Sequence, residues 1–459
     1  MNILHPADDF AKILLPTQKK TEGISYRLMH QVLVQPVEEG VLLYHLLTNC
    51  LVLLSPMEAQ SLTDNGQLVE MWFLVPEDFQ DKKLCAQVIA SARLLNRQKK
   101  GIRKYTILTT TRCNANCFYC YQKGAKQHSM SEETAQKTAQ YIISHHQEHN
   151  PVEIDWFGGE PLLNTKCISQ ICTELQKNGI RYDSFIISNG LLFNEEIIKQ
   201  AQTLWNLKKI QITLDGREQL YNKAKAYHSS LTSPYQKVIE NIGLLLRAGI
   251  PVLIRLNIDR YNSEDMRLLI KELADRFGAE KNFSVYIAPL FELIGPQAEN
   301  RTAADRKRVY QDAAQLREFA GVLGIGDFYT KRMHHKMAIY QCMVDSKDAI
   351  MILPDGHLGL CEHHLDDAFF GHIDHDEWDA EVIRKSREYC DEIPECDTCP
   401  LYPKCFRLKI CGEQDECFPE FREFWLTKER QRMLNEYQRF QKSSCIIFRT
   451  DISPSTEAG

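Results

Sequence analysis

Six apolar, β-rich runs alternate with stretches of helical composition between residues 105 and 322, and this alternation limits the possible folds more than any other feature. The runs are YTILTT, VEIDWF, SFIISN, KIQITLD, VLIRLNI and FSVYIAP. Helical patterns follow the first five; after the first run, Ser131 can cap a helix, and Glu132 and Glu133 favour its positive end. The alternation predicts an α/β fold with a parallel sheet and outer helices. In barrels of this type the chemistry lies at the carboxyl ends of the strands.

A cysteine loop follows the first run directly, where a parallel sheet places its chemistry. Cys113, Cys117 and Cys120 have the spacing C-x3-C-x2-C. Three thiolates can bind three irons of a cubane cluster and leave one iron open, whereas a closed structural zinc site needs four ligands. The spacing therefore favours an iron-sulfur cluster with an open iron. A zinc site that borrows a remote ligand such as His128, or plain buried thiols, is the alternative.

This loop resembles the hallmark of the radical S-adenosylmethionine (radical SAM) superfamily, in which an aromatic residue precedes the third cysteine, here Tyr119. The resemblance implies a partial (β/α)6 barrel whose open iron binds the methionine amine and carboxylate of the cofactor. It also implies that an electron from the cluster cleaves the cofactor, and that the resulting 5′-deoxyadenosyl radical abstracts hydrogen from a substrate. By the same resemblance, Tyr119 contacts the adenine.

Gly158, Gly159 and Glu160 follow the second run and resemble the GGE motif of this family. Glycines let the backbone approach a ligand closely, and a carboxylate suits a cationic amine. The resemblance implies that Glu160 holds the methionine amino group. A lone GGE is usually only a turn, but its position one strand beyond the cysteine loop favours a cofactor site.

Two further pairs of polar residues end the next strands. Ser188 and Asn189 end the third run, and Thr213 and Asp215 end the fourth. Their short hydrogen-bonding side chains suit ribose hydroxyls or a carboxylate, and both pairs resemble family motifs at these strands. Asn-Gly and Asp-Gly are also ordinary turn sequences, so turn chemistry and cofactor binding both stay open for Asp215.

Arg255 interrupts the apolar fifth run. A charge that points into a barrel needs a partner. A cofactor carboxylate would serve, and so would a structural pair with Glu153 or Asp155.

A second group of cysteines follows the six runs, and its spacing resembles the SPASM domain, which binds two auxiliary four-iron clusters. The group consists of Cys342, Cys361, Cys390, Cys396, Cys399, Cys405, Cys411 and Cys417. The family order implies that the first auxiliary cluster is held by Cys342, Cys361 and Cys411, and the second by Cys396, Cys399, Cys405 and Cys417. Together with the first loop, this implies three four-iron clusters.

The chain departs from the SPASM pattern after Cys405. The family spacing would place a cysteine at position 409, where this chain has Lys409. The first auxiliary cluster would then have three thiolates, with Cys390 or an outside group as a possible fourth ligand. Without the upstream barrel, such tandem C-x2-C units would indicate zinc ribbons instead.

Residues 1–100 are predicted to form a small α+β, winged-helix-like unit. The pattern is strand-like between Gly23 and Ser55, where Ser55 can cap a helix. A hairpin around Thr48 and Asn49 could offer a sheet edge to which a leader peptide adds a strand; the alternative is a unit that merely caps the barrel. The basic stretch 97–104 is predicted to be a solvated linker. The remaining boundaries are 101–325 for the barrel, 326–425 for the SPASM domain and 426–459 for a C-terminal helix and tail.

The composition excludes several classes of protein. Lysine and arginine total 55 against 61 acidic residues, which gives a net charge of -6 and no positive surface for nucleic acid. There is no apolar run of 18 residues and no signal peptide, so we expect a cytoplasmic protein without a membrane partner. In such a reducing compartment, most of the 16 cysteines are better explained as metal ligands than as disulfides. The exceptions are Cys50, Cys85, Cys167, Cys172 and Cys445, which are predicted to be small buried residues.

The resemblance implies an oxidoreductase that modifies peptides. We expect it to install a thioether or carbon-carbon crosslink in a ribosomally made precursor with a leader, and to receive electrons from a reductase such as flavodoxin or ferredoxin. An anaerobic sulfatase-type, formylglycine-forming maturase is one alternative, although those enzymes typically begin close to the cysteine loop. A metal-scaffold or electron-carrier protein without radical chemistry is another. The sequence identifies neither the substrate nor a catalytic base.

Overall fold

The computed structural model describes residues 1–96, 101–147, 150–290, 303–326, 342–365, 368–402, 408–411 and 417–450. The strands are β1 (Asn2–His5), β2 (Tyr26–Leu28), β3 (Val32–Val37), β4 (Gly40–His45), β5 (Cys50–Leu54), β6 (Leu74–Pro76), β7 (Lys104–Thr110), β8 (Val152–Gly158), β9 (Tyr182–Ser188), β10 (Leu207–Leu214), β11 (Val252–Ile258), β12 (Phe283–Pro289), β13 (Ala349–Ile352), β14 (His357–Gly359) and β15 (Gly371–His372). The helices are α1 (Asp9–Leu14), α2 (Pro56–Gln60), α3 (Gly66–Glu70), α4 (Asp81–Asn96), α5 (Glu132–His145), α6 (Thr165–Lys177), α7 (Glu195–Thr203), α8 (Glu218–Lys225), α9 (Pro234–Arg247), α10 (Ser263–Phe277), α11 (Ala303–Val322), α12 (Ala380–Ser386) and α13 (Pro419–Thr450).

A nine-stranded sheet with the order β12-β11-β10-β9-β8-β7-β13-β14-β15 forms the centre of the molecule. Its strands β7 to β12 are the six predicted runs, and each pairs in parallel with the next. The predicted parallel α/β fold is therefore confirmed. Beyond β7 the sheet continues into the cysteine-rich region: β13 joins β7 in parallel, and β14 and β15 add antiparallel strands.

Side chains alternate between the two faces of the barrel strands. In β8, Ile154 and Trp156 are fully buried, whereas Asp155 and Phe157 are half-buried on the other, concave face. The same alternation places polar residues of neighbouring strands on the concave face, and Thr213 of β10 lies level with Arg255 of β11. Ser131 caps α5 as predicted, because its hydroxyl accepts a hydrogen bond from the Thr134 amide at 3.0 Å.

The N-terminal unit contains a four-stranded antiparallel sheet and a separate pair of strands, β2 and β6. The strand-like pattern between Gly23 and Ser55 is confirmed as β2 to β5. Ser55 caps α2 in a capping box, since its hydroxyl accepts from the Glu58 amide and the Glu58 carboxylate accepts from the Ser55 amide. The predicted α+β character is confirmed, and the likeness to a winged helix stays a prediction.

The hairpin around Thr48 and Asn49 does not offer an open sheet edge, so that prediction is wrong. The strand order is β1-β5-β4-β3, in which β4 and β5 are the inner strands. Thr48 and Asn49 are only 1% and 5% exposed, and the Thr48 carbonyl accepts a hydrogen bond from the Asp8 amide at 2.9 Å. The sequence did not reveal this because the covering strand, β1, comes from the start of the chain. The edges of the sheet are β1 and β3.

The predicted linker is partly built into the barrel. Residues 97–100 lie outside the described residues. Arg103 forms an ion pair with Glu153, and Lys104 opens β7 and pairs with Asp155 at 2.7 Å. These two basic residues are therefore not part of a solvated connection, because β8 presents acidic side chains beside them.

Helix α13 confirms the predicted C-terminal helix and packs against the N-terminal sheet. Leu42 and Leu51 of that sheet belong to the same buried apolar cluster as Met433 and Tyr437 of α13. The opposite face of the sheet is buried by residues of α4, such as Val88. The predicted tail, residues 451–459, lies outside the described residues. Within the described part of the chain, no helix combines the length and the apolar character needed to cross a membrane.

We expect Met433→Ala to lower the free energy of unfolding by about 2–5 kcal/mol, because it removes a fully buried side chain between α13 and the N-terminal sheet. Urea unfolding followed by circular dichroism measures this change. The matched control is Met57→Ala, whose side chain is 78% exposed and should change stability by less than about 0.5 kcal/mol. Equal effects of both substitutions would show that α13 does not depend on this contact.

Candidate active site

The cysteine loop lies at the carboxyl end of β7, the first barrel strand. Cys113, Cys117 and Cys120 are all half-buried free thiols. The Cys120 amide donates to the Cys117 carbonyl at 3.2 Å, and the Ala115 amide donates to the sulfur of Cys113 at 3.4 Å. Burial raises the pKa of Cys113 to about 11 and also raises that of Cys117, so both thiols hold their protons at neutral pH until a metal displaces them.

The three thiols of the loop do not converge on the position of a single ion. Among the described residues, no three histidine, cysteine or carboxylate groups converge on one ion position, as a zinc site would require. In a four-iron cluster each thiolate binds its own iron, so the sulfurs need not converge. The backbone of His128, the remote ligand considered above, pairs with Thr111 at the start of the loop.

The two glycines after β8 pack against the chain that leads into the cysteine loop. Gly158 has φ +135°, and a Cβ there would lie 2.1 Å from the Thr110 carbonyl oxygen. A Cβ on Gly159 would lie 2.3 Å from the carbonyl oxygen of Arg112, which accepts a hydrogen bond from the Glu160 amide at 2.9 Å. The close neighbour of both glycines is thus backbone of this chain, where the sequence motif had indicated a ligand.

Glu160 is fully buried and is held by three hydrogen-bond donors. Its carboxylate accepts from the Ser188 hydroxyl at 2.9 Å, the Asn189 amide at 2.8 Å and the Leu162 amide at 3.1 Å. Burial raises the pKa of Glu160 to about 7, although these hydrogen bonds oppose the rise. No lysine or arginine forms a salt bridge with it in the described part of the chain, so a cationic ligand group would fit this carboxylate.

Ser188 and Asn189 connect Glu160 to the cysteine loop. The side-chain amide of Asn189 donates to the side-chain oxygen of Asn114, next to Cys113, at 2.7 Å. Turn chemistry is also present, since the Asn189 side-chain oxygen accepts from the Leu191 amide at 3.0 Å. The turn chemistry indicated by the sequence is therefore confirmed for Asn189, and its role in cofactor binding stays a prediction.

Asp215 is buried, and both of its carboxylate oxygens face partners within the chain. One oxygen accepts from the side-chain amide of Asn257 at 2.9 Å, and the other lies 3.2 Å from the Lys225 ammonium. Thr213, two residues earlier, is half-buried on the concave face. Asp215 is therefore more than a turn residue, because it joins two strand ends to α8.

Arg255 does not form the structural pair considered from the sequence. Glu153 is taken by Arg103 and Asp155 by Lys104, as described for the start of the barrel. The guanidinium of Arg255 donates instead to the side-chain oxygen of Asn257 at 2.9 Å. No acidic residue neutralises it within the described ranges, so an anionic ligand group would fit beside it.

Lys225 and Asn257 belong to this site although no sequence motif pointed to them. Lys225 ends α8 and is buried, and its ammonium donates to the hydroxyl of Tyr119 in the cysteine loop at 2.9 Å. The available signal was its spacing, because Lys225 lies one helical turn after Tyr221 on the buried face of α8. A lysine on an apolar helix face needs a buried partner, and Asp215 supplies it.

The cysteine-rich region meets the cysteine loop through aromatic side chains. Cys342 and Cys361 flank the β13–β14 hairpin, whose turn contains Gly356 at φ +94°. The ring of Tyr121, next to Cys120, lies 4.2 Å from the ring of His363, measured between centroids. Burial lowers the pKa of His363.

The remaining cysteines of this region are described only in part. Cys390 and Cys399 are half-buried and Cys396 is buried. Cys405 lies outside the described residues, and only the backbone of Cys411 is described. Four cysteines predicted to be small buried residues are confirmed as buried; they are Cys50, Cys85, Cys167 and Cys172. The side chain of Cys445 lies outside the described part.

The fold and the site together define a parallel α/β enzyme that carries thiols and a buried carboxylate at the carboxyl ends of its strands. Residues 107–273 match the model of the Radical SAM superfamily. The chain therefore contains a radical SAM domain and is a radical SAM enzyme. The family of this domain implies S-adenosylmethionine and a four-iron cluster as cofactors. The family resemblance inferred from the cysteine loop is confirmed.

The chain is similar in sequence to proteins from an archaeon and a bacterium. It is 25% identical over 265 residues to an uncharacterized protein of Methanocaldococcus jannaschii, an alignment that covers 57% of this chain and 85% of that protein. It is 24% identical over 186 residues to the sporulation killing factor maturation protein SkfB of Bacillus subtilis, which covers 39% of this chain and 42% of SkfB. The aligned part thus spans less than half of SkfB.

Among solved structures, native anSMEcpe with bound AdoMet and the Kp18Cys peptide superposes with a TM-score of 0.57. The superposition covers 73% of this chain and 99% of that one, at 14% sequence identity. A likeness at this identity shows the shared fold. It extends well beyond residues 107–273, so the similarity is not confined to the barrel.

We expect the free energy of unfolding of the ligand-free protein to fall with rising pH relative to Glu160→Gln. The pKa of Glu160 in the folded protein, about 7, lies above its ordinary value of 4.5, so between these pH values the folded protein holds a proton that the unfolded chain has lost. The difference amounts to about 3 kcal/mol at most, and urea unfolding at several pH values measures it. The same pH dependence in both proteins would show that the carboxyl is not desolvated.

Proposed function

We propose that this radical SAM enzyme is a peptide maturase. In this proposal Cys113, Cys117 and Cys120 hold the four-iron cluster that cleaves S-adenosylmethionine. The observation that carries it is the hydrogen-bonded connection from the Glu160 carboxylate through Asn189 to Asn114 in the cysteine loop, at the carboxyl ends of the strands. When bound, the cluster and cofactor supply a 5′-deoxyadenosyl radical, and the residues of this chain bind and orient both.

The cofactor site is proposed to contain the charged and polar residues of the strand ends. Glu160 is a buried carboxylate without a salt bridge in the described residues, which suits the methionine amine. Arg255 is a guanidinium without an acidic partner there, which suits a carboxylate. The other proposed cofactor-binding residues are Tyr119, Gly158, Gly159, Ser188, Asn189, Thr213 and Asp215.

Two auxiliary clusters are proposed in the cysteine-rich region, in the order that the SPASM resemblance implies. For the first, the ring of His364, three residues after Cys361, lies 3.1 Å from the carbonyl oxygen of Ile410, which brings Cys411 toward Cys361. The other proposed ligand of this cluster is Cys342, with Cys390 as a possible fourth. The hydrogen bond between the segment after Cys361 and the segment before Cys411 supports a cluster shared by these two cysteines.

The second auxiliary cluster is proposed on Cys396, Cys399, Cys405 and Cys417. Burial raises the pKa of Cys399, and the nearby charge of Cys417 adds to the rise, which places these two thiols within electrostatic range of each other. The guanidinium of Arg422 donates to the sulfur of Cys417 at 3.4 Å. Electron transfer to the clusters requires a reductase, for which we propose a flavodoxin or a ferredoxin.

We expect simultaneous replacement of Cys113, Cys117 and Cys120 by Ala to abolish 5′-deoxyadenosine formation, because the open iron is lost with its cluster. Iron should fall from about twelve to about eight atoms per chain after anaerobic reconstitution. The control Cys172→Ala changes a thiol buried in the barrel core and should leave the iron content unchanged. Full cleavage in the triple variant would contradict the assignment; about four irons with stoichiometric zinc in the wild type would contradict the auxiliary clusters.

A ribosomally made precursor peptide is the proposed substrate, and a thioether or carbon-carbon crosslink is the proposed product. The similarity to the maturation protein SkfB and to the peptide-bound anSMEcpe structure supports a peptide substrate. The test is anaerobic incubation of the reduced enzyme with S-adenosylmethionine and each short peptide that is found encoded near its gene. A mass loss of hydrogen in the peptide, together with 5′-deoxyadenosine, is the expected result.

The leader of the precursor is proposed to add a strand to β3 of the N-terminal unit. This edge strand is six residues long, whereas the other edge, β1, has four. Val34 of β3 is 45% exposed, so the edge carries an apolar side chain that a peptide can cover. We also propose the boundaries 1–100, 101–325, 326–425 and 426–459, although the sheet of the barrel continues through β13 to β15.

We expect Val34→Lys to weaken binding of the full-length precursor by about tenfold, because a charge at the edge opposes the addition of an apolar strand. Fluorescence anisotropy with a labelled precursor measures the affinity. Ile3→Lys is the matched control on the other edge, since Ile3 is 53% exposed on β1. Cleavage of S-adenosylmethionine without peptide should be the same in both variants. Weaker binding only in Ile3→Lys would place the leader on β1, and unchanged binding in both would refute docking on this sheet.

A further inference from the structure

We infer that Lys225 is a positioning residue that locks the cysteine loop onto the strand ends through Tyr119 and Asp215 and adds a buried positive charge beside the proposed cluster ligands. The inference rests on the proposed function for the role of the cluster. The contacts of Lys225 with Tyr119 and Asp215, called the lock below, lie within the chain and can be tested without any cofactor.

Residues at the end of α8 hold the cysteine loop by its backbone. The Asn116 amide donates to the Lys225 carbonyl at 2.9 Å, and the Phe118 amide donates to the Ala224 carbonyl at 3.4 Å. A third bond runs in the opposite direction, from the His228 amide to the Asn114 carbonyl, at 2.8 Å. These bonds begin next to Cys113 and flank Cys117 on both sides, so the loop cannot shift without breaking them.

The ammonium of Lys225 adds a side-chain clamp to these backbone bonds. It donates to the Tyr119 hydroxyl at 2.9 Å and lies 5.6 Å from the centre of the Tyr119 ring and 5.8 Å from that of Tyr221. Tyr119 lies between the second and third cysteines of the loop. Its hydroxyl is therefore tied to a helix end rather than left to rotate with the loop.

Asp215 anchors this clamp to the sheet. The carboxylate lies 3.2 Å from the Lys225 ammonium, and the two side chains are 4% and 3% exposed. Asn257 of β11 donates to the other carboxylate oxygen and accepts from Arg255. A continuous polar chain thus runs from Arg255 on the concave face to Tyr119 in the cysteine loop. Its two links that the sequence did not single out are Asn257 and Lys225.

The buried ammonium also has an electrostatic consequence. Reduction potentials of iron-sulfur clusters depend on the net charge around them and on solvent exposure. Lys225→Met leaves the negative charge of Asp215 unpaired near the loop, so the potential of the proposed cluster should fall. The double variant Asp215→Asn/Lys225→Met removes both charges and should return the potential toward the wild-type value, while the hydrogen bond to Tyr119 stays lost.

The first test uses the full-length, cluster-free protein and measures alkylation of Cys117 by peptide mass spectrometry. We expect the rate in Lys225→Met to rise about tenfold, because the loop has lost its side-chain clamp. The matched control is Lys223→Met, an exposed lysine two residues earlier in α8, which should alkylate at the wild-type rate. Wild-type alkylation in a folded Lys225→Met protein would overturn the lock.

The second test uses the reconstituted enzyme and measures the midpoint potential of the cluster by EPR-monitored titration, with the triple cysteine variant identifying the auxiliary signals. Lys225→Met should have a lower potential than Lys223→Met. If Lys225→Met does not fold, the double variant carries the test against Asp215→Asn alone: Cys117 should be alkylated about tenfold faster in the cluster-free double variant, and equal rates in the two proteins would overturn the inference. A wild-type enzyme that forms no 5′-deoxyadenosine would instead refute the proposed function.

Discussion

The contact between the end of β8 and the cysteine loop is the constraint on which the site depends. Gly158 and Gly159 leave room for the carbonyls of the chain before Cys113, and Glu160 then turns inward at a depth where no solvent reaches it. Two donors from the end of β9, the Ser188 hydroxyl and the Asn189 amide, and the Leu162 amide just after Glu160 satisfy this carboxylate. Desolvation without a salt bridge, within the described residues, gives it the properties of a receptor for a cationic group.

A second set of buried groups, Asp215 and Lys225, also holds the cysteine loop. Glu160 and Asn189 reach the loop from β8 and β9, and Asp215 reaches it from β10 through Lys225. The loop is therefore held from two sides by buried charged or polar groups, each supported by backbone hydrogen bonds. Such pre-organised support costs little reorganisation when a ligand binds, which is the general requirement for placing reactive groups accurately.

Much of the fold followed from local pattern. Alternating burial fixes the six barrel strands, and Ser55 and Ser131 form the expected helix caps because capping depends on neighbouring residues. The prediction of an open edge in the N-terminal sheet was wrong because β1 and β5, which pair, are far apart in the chain. In the site, Glu160 was found through its motif. Lys225 was not found from the sequence. Its partner Tyr119 is distant in the chain, and its partner Asp215 belongs to a different motif.

The sequence by itself determined the parallel α/β fold and the position of the cysteine loop at the end of the first barrel strand, because both depend on short-range spacing and hydrophobic period. The resemblance of the cysteine motif indicated the radical SAM family. Only the tertiary structure decided which partners the charges have. Arg255 turned out to face Asn257 rather than Glu153 or Asp155, and Asp215 to face Lys225. The physical reason is that the energy of a buried charge depends on every group within a few ångströms, and strand register and helix docking bring those groups together from separate parts of the chain.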